Sequence, residues 1–416
     1  MFWPLVFVLR KTIAKGHLAV IDAQGRRHEF GDGSGAPVVV RFTDRATERA
    51  IAFNPQLAVG EAYMHGRMLF ERGDIYDFLT LAMINWEADR MPAWLKMLDR
   101  LRHALRRLQQ YNPAWRSRRN VAHHYDIDSA IYELFLDSDR QYSCAYFLPG
   151  SDLEEAQEAK KAHIAAKMAL GPDHNVLDIG SGWGGLGIWL ATHTGAKVKG
   201  ITLSDEQLSV ARDRARKRGL QNRVRFDNED YRSLDGTFDR IVSVGMFEHV
   251  GVNHYSRFFR RLSALLNRDG VAVLHSIGRS DGPGFTNPFI AKYIFPGGYF
   301  PALSEVLPSI ERAGLIVSDV EILRLHYAET LKAWRERFMA RRSEAVRLKG
   351  EEFCRMWEFY LAGSEAAFRF QGLIVFQIQM VKQIDALPIT RDYMIETERR
   401  YKRGGIAETD RRLAGE

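Results

Sequence analysis

The 416-residue chain is 46% hydrophobic and 27% charged, a globular balance with length for two or three packed domains, which excludes a disordered polymer. Two cysteines, Cys144 and Cys354, exclude a disulfide framework and suit a reducing cytoplasm, and no cysteine–histidine cluster has metal-site spacing. The net charge of +7 is unevenly distributed, which bears on partners.

In chain order, the apolar opening MFWPLVFVL is too short to span a bilayer and reads as a buried first helix or a surface anchor. Alternating runs between 12 and 45, HLAVIDA and VVVRFTD, separated by GDGSG, predict a small β meander or a pair of hairpins. Residues 48–112 read as mostly helical, with YDFLTLAMINW apolar enough for a core helix. Between Arg90 and Asn120 nine Lys/Arg (Arg90, Lys96, Arg100, Arg102, Arg106, Arg107, Arg116, Arg118, Arg119) accompany one acid, Asp99, so the rest of the chain is near neutral. Trp94, Leu98, Leu101, Leu105 and Leu108 recur there at helical spacing, with the bases elsewhere on the wheel. A basic amphipathic helix suits an anionic membrane surface, and equally a solvated face on a packed linker. No aromatic-basic interleaving or binding motif supports nucleic acid as a partner.

From 121 onward strands and helices alternate, which predicts an α/β fold with a parallel, doubly wound sheet. The strands are expected at 175–179, 196–202, 223–227, 239–244 and 270–275, with 315–324 and 372–381 closing the sheet. A helical insert at about 280–300 interrupts this order and reads as a lid. Phe289, Tyr293, Phe295 and Phe300 are expected either to wall an apolar channel there or to be core. The division expected is a small α+β N-terminal domain at 1–112, a basic linker at 113–120, a catalytic domain at 121–382 and a charged tail at 383–416.

The most informative stretch is NVLDIGSGWGGLGIWLA, Asn175 to Ala191. An apolar strand runs into Asp178 and a loop holding Gly180, Gly182, Gly184 and Gly185, and a helix follows. Glycines let the backbone approach a ligand, and the opening helix aims N–H groups at it. The spacing is GxGxG, not the GxGxxG dinucleotide fingerprint. An acidic strand end before such a loop resembles the cofactor loop of S-adenosylmethionine (SAM) methyltransferases; on its own it is also compatible with a tight strand-to-helix turn.

Further motifs, in order, resemble one family, the cyclopropane-fatty-acyl-phospholipid synthases with the related mycolic acid cyclopropane synthases and methyltransferases. They are YSCAYF (142–147), VLDIGSGWGG (176–185), GITLS (200–204), FDRIVSVGMFEHVG (238–251), LHSIG (274–278), IFPGGYFP (294–301), HYAETLKAW (326–334) and YLAGSEAAF (360–368). The resemblance spans roughly 120–382 and implies a Rossmann-like SAM methyltransferase acting on double bonds of acyl chains in membrane phospholipid. It implies cofactor contacts at Tyr142, Ser143, Asp178, Gly180, Gly182, Thr202, Leu203, Gln207, Asp230, Tyr231 and Arg232. A bicarbonate ion, held at Cys144, Glu248, His275, Ile277 (through its backbone) and Tyr327, would serve as the base that removes a proton after methyl transfer. Glu248 beside an anion requires that one of the two keep a shared proton. Individually, His275 reads as readily as a satisfied core histidine, Tyr327 as a core aromatic, and the polar cofactor positions as turn residues. A reactive-thiol role for Cys144 is the lesser reading, since no covalent step is required. Ser364 stands where the family usually has a cysteine, which argues against a nucleophile there. The resemblance also implies a homodimer, cytoplasmic and peripherally attached to the inner face of the membrane. The competing readings are a fatty-acyl C-methyltransferase giving methylene or methyl branches, and a small-molecule methyltransferase of the same fold. An inert lipid- or SAM-binding protein is a third class, disfavoured by the intact loop and anion-site residues.

Overall fold

The structure, a computed structural model, describes residues 1–110 and 129–402, without the side chains of Ala88, Arg107, Leu108, Gln109 and Lys402. The expected linker at 113–120, with Arg116, Arg118 and Arg119, and the last residues of the charged tail lie outside the described residues. The chain forms two compact units, neither continuous in sequence: 1–109 with 284–296 and 328–373, and 110–283 with 297–327 and 374–416.

The first unit opens with a helix, Trp3–Thr12, whose Leu5 and Val8 are buried while Trp3 and Phe7 are exposed. Its sheet has the order β2-β1-β3-β4, with β1 Leu18–Ile21, β2 Arg27–Phe30, β3 Val38–Phe42 and β4 Met68–Arg72. β1 and β2 form an antiparallel hairpin, but β3 runs parallel to β1. A meander is therefore not formed. The glycine-rich link crosses the start of β1, where Gly33 N–H donates to Gly16 O at 3.0 Å, and delivers β3 to the other edge. Helices Pro55–Met64 and Ile75–Ile84 pack on the long helix Arg342–Phe370 around one apolar core. Phe289 belongs to that core: it is fully buried, 4.6 Å from the Phe359 ring and 4.9 Å from Tyr293. It rests so close on Gly60 that a Cβ there would lie 2.4 Å from its ring. Of the two readings given for this insert, Phe289 takes the core one.

The second unit carries a seven-stranded sheet in the order β10-β11-β9-β8-β5-β6-β7. Its strands are β5 Asn175–Ile179, β6 Lys197–Thr202, β7 Val224–Asn228, β8 Phe238–Val244, β9 Leu266–Arg279, β10 Ile316–Ile322 and β11 Leu373–Val381. Six of them begin and end within about two residues of their expected bounds, as apolar runs should, but β9, expected at 270–275, extends from Leu266 to Arg279. β5 lies between β6 and β8 and is parallel to both. The chain leaves β5 toward β6 and β7, then returns to β8 on the other side, so the order reverses at β5. In doubly wound sheets ligands bind outside the carboxyl ends of the strands at this switch point.

Helix Leu153–Lys167 starts with a reciprocal cap between Asp152 and Glu155 and runs with Lys160, Lys161, His163 and Lys167 all buried. Within the expected charged tail, helix Asp392–Lys402 is packed: Glu398 bonds His163 at 2.6 Å, and Tyr401 meets the Trp189 ring at 5.4 Å. Burial alone would lower the His163 pKa, but the carboxylates of Glu321 and Glu398 outweigh it and raise it.

Candidate active site

The loop after β5 is shaped by its glycines. Gly180 and Ser181 both donate their N–H to Ile201 O, at 2.9 and 3.0 Å, which folds the loop over the end of β6. Gly182 has φ 54°, and a Cβ built on it meets nothing within 4 Å among the described residues other than its chain neighbours. Its missing side chain leaves open space rather than relieving a contact within the protein. The helix Gly185–Thr194 then points its amino end toward that space.

Around the loop lies a cleft enclosing about 1360 Å³ of empty space, open solvent at its mouth included. Its walls are the carboxyl ends of β5, β6, β7 and β8 together with residues 140–143. Tyr142, Ser143, Asp178, Gly180, Gly182, Thr202, Leu203, Gln207, Asp230, Tyr231 and Arg232 all line it. Thr202 donates its hydroxyl to Gln207 Oε1 at 3.1 Å, and Ser204 caps the helix Asp205–Lys217 through Gln207 N–H. Asp230 and Arg232 are also a turn: the Arg232 amide and guanidinium both reach the Asp230 carboxylate, at 3.0 and 2.8 Å. The turn reading and the cleft-lining reading therefore hold together for this pair. Tyr231 packs edge-on against Phe258 at 5.3 Å, and burial pushes its phenol up to about 12.

Two charged groups dominate the electrostatics. Asp178 is 1% exposed, its Oδ2 has no hydrogen-bond partner among the described residues, and burial lifts its pKa to about 7 against the pull of Lys160. Lys160 is fully buried and donates to Gln141 Oε1 at 2.6 Å and Ser143 Oγ at 2.9 Å. Burial lowers it to about 8, the nearby Asp137 opposing. Sequence reasoning missed Lys160 because nothing local marks one lysine on a charged helix as the one turned inward. It also missed Trp183 and His249, which line the cleft; both sit inside the quoted motifs, and adjacency was the available signal. Burial holds His249 down at about 4, so the imidazole is neutral.

The five residues assigned to the anion are placed differently. None of them lines the cleft; their neighbours Ser143, Met246 and His249 do. Glu248 Oε1 accepts the Ile277 N–H at 2.7 Å, joining two of the five. His275 lies on the same strand two residues before Ile277, and its Nδ1 meets Gln377 Nε2 at 3.0 Å. Cys144 is buried, with its thiol toward Ala145 O at 3.3 Å. Tyr327 is buried, and its neighbour His326 accepts the Phe147 N–H at 2.9 Å, linking that helix end to the segment following Cys144. Glu248 Oε2 is buried without a hydrogen-bond partner among the described residues, and burial pushes its pKa to about 7 despite the Ile277 bond. Burial drives His275 well below its ordinary value, so it is neutral.

A glycine-rich loop at the switch point of a seven-stranded doubly wound sheet, with a cleft across the ends of β5 to β8, defines a SAM-dependent methyltransferase. The comparisons agree. Residues 113–378 match the family described as mycolic acid cyclopropane synthetase. A cyclopropane-fatty-acyl-phospholipid synthase of Escherichia coli is 35% identical over 84% of this chain and 89% of its own. A probable fatty acid methyltransferase of Pseudomonas putida is 42% identical over 66% and 73%, and a tuberculostearic acid methyltransferase of Mycobacterium tuberculosis 34% identical over 90% of each. The solved mycolic acid cyclopropane synthase CmaA1, complexed with SAH and CTAB, superposes with TM-score 0.61 at 32% identity over 65% of this chain and 99% of that one. The chain belongs to the mycolic acid cyclopropane synthetase family.

Proposed function

We propose that the enzyme adds a methylene group, taken from the methyl of SAM, to the double bond of unsaturated acyl chains in membrane phospholipid, forming cyclopropane fatty acids. The observation that carries this reading is Glu248. A buried carboxyl with one unpartnered oxygen and a pKa near 7, one residue from the cleft-lining His249, suits an acid–base step as well as methyl transfer. Methylating an amine forms no carbocation, whereas methylating an alkene leaves one, which must lose a proton before the ring closes.

Bound SAM supplies an electrophilic methyl on a sulfonium, and bicarbonate, where bound, supplies a base. The open face of Gly182 admits the cofactor's methionine and ribose portions, while Asp178 and Lys160 set the charge behind it. Bicarbonate suits the donor set with one adjustment. With Gln377 Nε2 donating to Nδ1, His275 keeps its proton at Nε2, and a protonated Glu248 Oε2 is a second donor. The Ile277 N–H is committed to Glu248, so Ile277 serves this site through Glu248 and not by touching the ion.

The second reading, a fatty-acyl C-methyltransferase, is favoured by the named activities of the Pseudomonas and Mycobacterium relatives. One assay separates the two. After incubation with SAM and unsaturated phospholipid vesicles, released fatty acids are expected to gain one CH₂ and to resist mild hydrogenation. A product of that mass that takes up hydrogen carries a methylene branch, and one heavier by two further hydrogens a saturated methyl branch. Either would overturn ring formation.

A further inference from the structure

Helix Ala93–Gln109 turns three different sides outward and inward. One side faces the unit: Leu95 is buried with Val8 and Met91, and Arg102 donates to Gln56 Oε1 at 2.9 Å, Asn54 Oδ1 at 2.7 Å and Asp99 Oδ1 at 3.2 Å. Arg102 therefore works inside the unit, although sequence alone places it among the solvated bases. A second side is apolar and exposed: Met97, Leu101 and Leu105 are 68%, 55% and 39% accessible. The third side carries Lys96 and Arg100.

The exposed apolar side does not stand alone. Trp94 lies 5.8 Å from the Phe7 ring, and Phe7 stacks at 5.8 Å on Trp3, which is 72% exposed. One strip thus runs from the first helix, Trp3 and Phe7, across Trp94 to Met97, Leu101 and Leu105. Its margins are basic, with Arg10 and Lys11 in the last turn of the first helix and Lys96 and Arg100 beside it. Two acids in this region are paired with bases, Asp99 with Arg102 and Glu87 with Arg90 at 2.9 Å, and the Lys96 ammonium donates to the backbone carbonyl of Asp89 at 3.2 Å. No helix among the described residues is long and apolar enough to cross a membrane.

We propose that this strip docks the first unit on an anionic lipid bilayer. Trp3, Phe7, Met97, Leu101 and Leu105 enter the boundary between headgroups and acyl chains, while Lys11, Lys96 and Arg100 meet lipid phosphates. Aromatic and aliphatic residues flanked by Lys/Arg are the composition of interfacial helices, and long basic side chains reach headgroups from beside an inserted face. A second copy of the chain is a poorer occupant. A two-fold contact places the same patch against itself, bringing like-charged margins together. The proposal rests on the phospholipid reading for its purpose, and is tested without it.

The test uses the full chain and vesicles of saturated phospholipid, neutral or containing phosphatidylglycerol, so that binding is read with no double bond present. Trp3→Ser/Met97→Ser/Leu101→Ser is expected to weaken binding to both vesicle types by about tenfold or more, with SAM affinity and oligomeric state unchanged. Lys96→Glu/Arg100→Glu is expected to remove the preference for anionic vesicles, as high salt does in the unmodified protein. An environment-sensitive fluorophore on Leu101→Cys, in otherwise unmodified protein, should shift to the blue on anionic vesicles whether or not the triple variant folds. Vesicle affinity indifferent to both sets of substitutions, or no shift from the label, overturns the proposal. So does an apolar variant that dissociates an oligomer while binding vesicles normally, which would make the strip a self-association face. Turnover of detergent-dispersed unsaturated phospholipid is measured separately: its absence would sink the functional reading and leave the docking result standing.

Discussion

Glu248→Gln is expected to cut turnover by about 10²–10⁴-fold, the span of a lost general acid–base contribution, while SAM affinity changes little. The amide keeps the shape of the side chain and can mimic only the protonated carboxyl. Its pKa sits at about 7 because burial penalises the charged form, so the unmodified enzyme should show an ionisation near that pH in its kcat profile, and the variant should lack it. Stability supplies a control with a definite sign. A carboxyl whose folded pKa is raised stabilises the fold below its unfolded value near 4.5, and that contribution is lost as pH climbs through about 7. The Gln variant does not lose it, so its melting temperature should gain on the parent between pH 5 and pH 8. His275→Ala should follow the same kinetic pattern, since it removes the neutral imidazole on the adjoining strand. Losses in SAM affinity as large as the losses in turnover would move both residues into the cofactor pocket.

The strands of the second unit and the cleft residues were legible because their signals are local. An apolar run ending in Asp178 and a GxGxG loop specify a strand, a turn and a helix with no help from distant residues, and the cofactor positions that the family resemblance implies from Thr202 to Arg232 fall after the ends of successive strands in the cleft wall. The first unit was less legible because its assembly is not local. Phe289 and the long helix Arg342–Phe370 join residues 1–109 in one core, yet periodicity reports only that a face is apolar, never which face it meets. The parallel pairing of β1 and β3 escaped for the same reason: alternation in two short strands carries no information on edge or direction. On helix Ala93–Gln109 the stripe read from the sequence, which includes Leu101 and Leu105, is the exposed side, while the buried Leu95 lies outside that stripe. The family resemblance, rather than any local signal, grouped Glu248, His275 and Ile277 as positions for an anion, and it gave no hint that the Ile277 amide is already taken by Glu248.

Gly182→Val is expected to fold and to lose SAM affinity by about a hundredfold or more. The position is suited to the test because the two effects of a side chain are separable there. The backbone at φ 54° disfavours any L residue by roughly 1–2 kcal/mol, and a β-branched one most, a cost that a two-unit protein of this size can absorb. Apart from its two chain neighbours, nothing among the described residues lies within 4 Å of the added Cβ, so the new atoms extend into the cleft and displace ligand without disturbing packing. Gly180 would give no such clean result, since a Cβ there falls 2.8 Å from Met246 Cβ and would deform the loop whether or not a cofactor binds at it. Gly182→Asn provides the matched comparison, because asparagine tolerates this φ while still filling the space. It should melt closer to the parent than the valine variant, yet bind SAM poorly. Titration calorimetry on both, beside thermal melts, resolves strain from occlusion. If the folded valine variant binds SAM as the parent does, the cofactor does not pass over Gly182 and the loop is a turn alone.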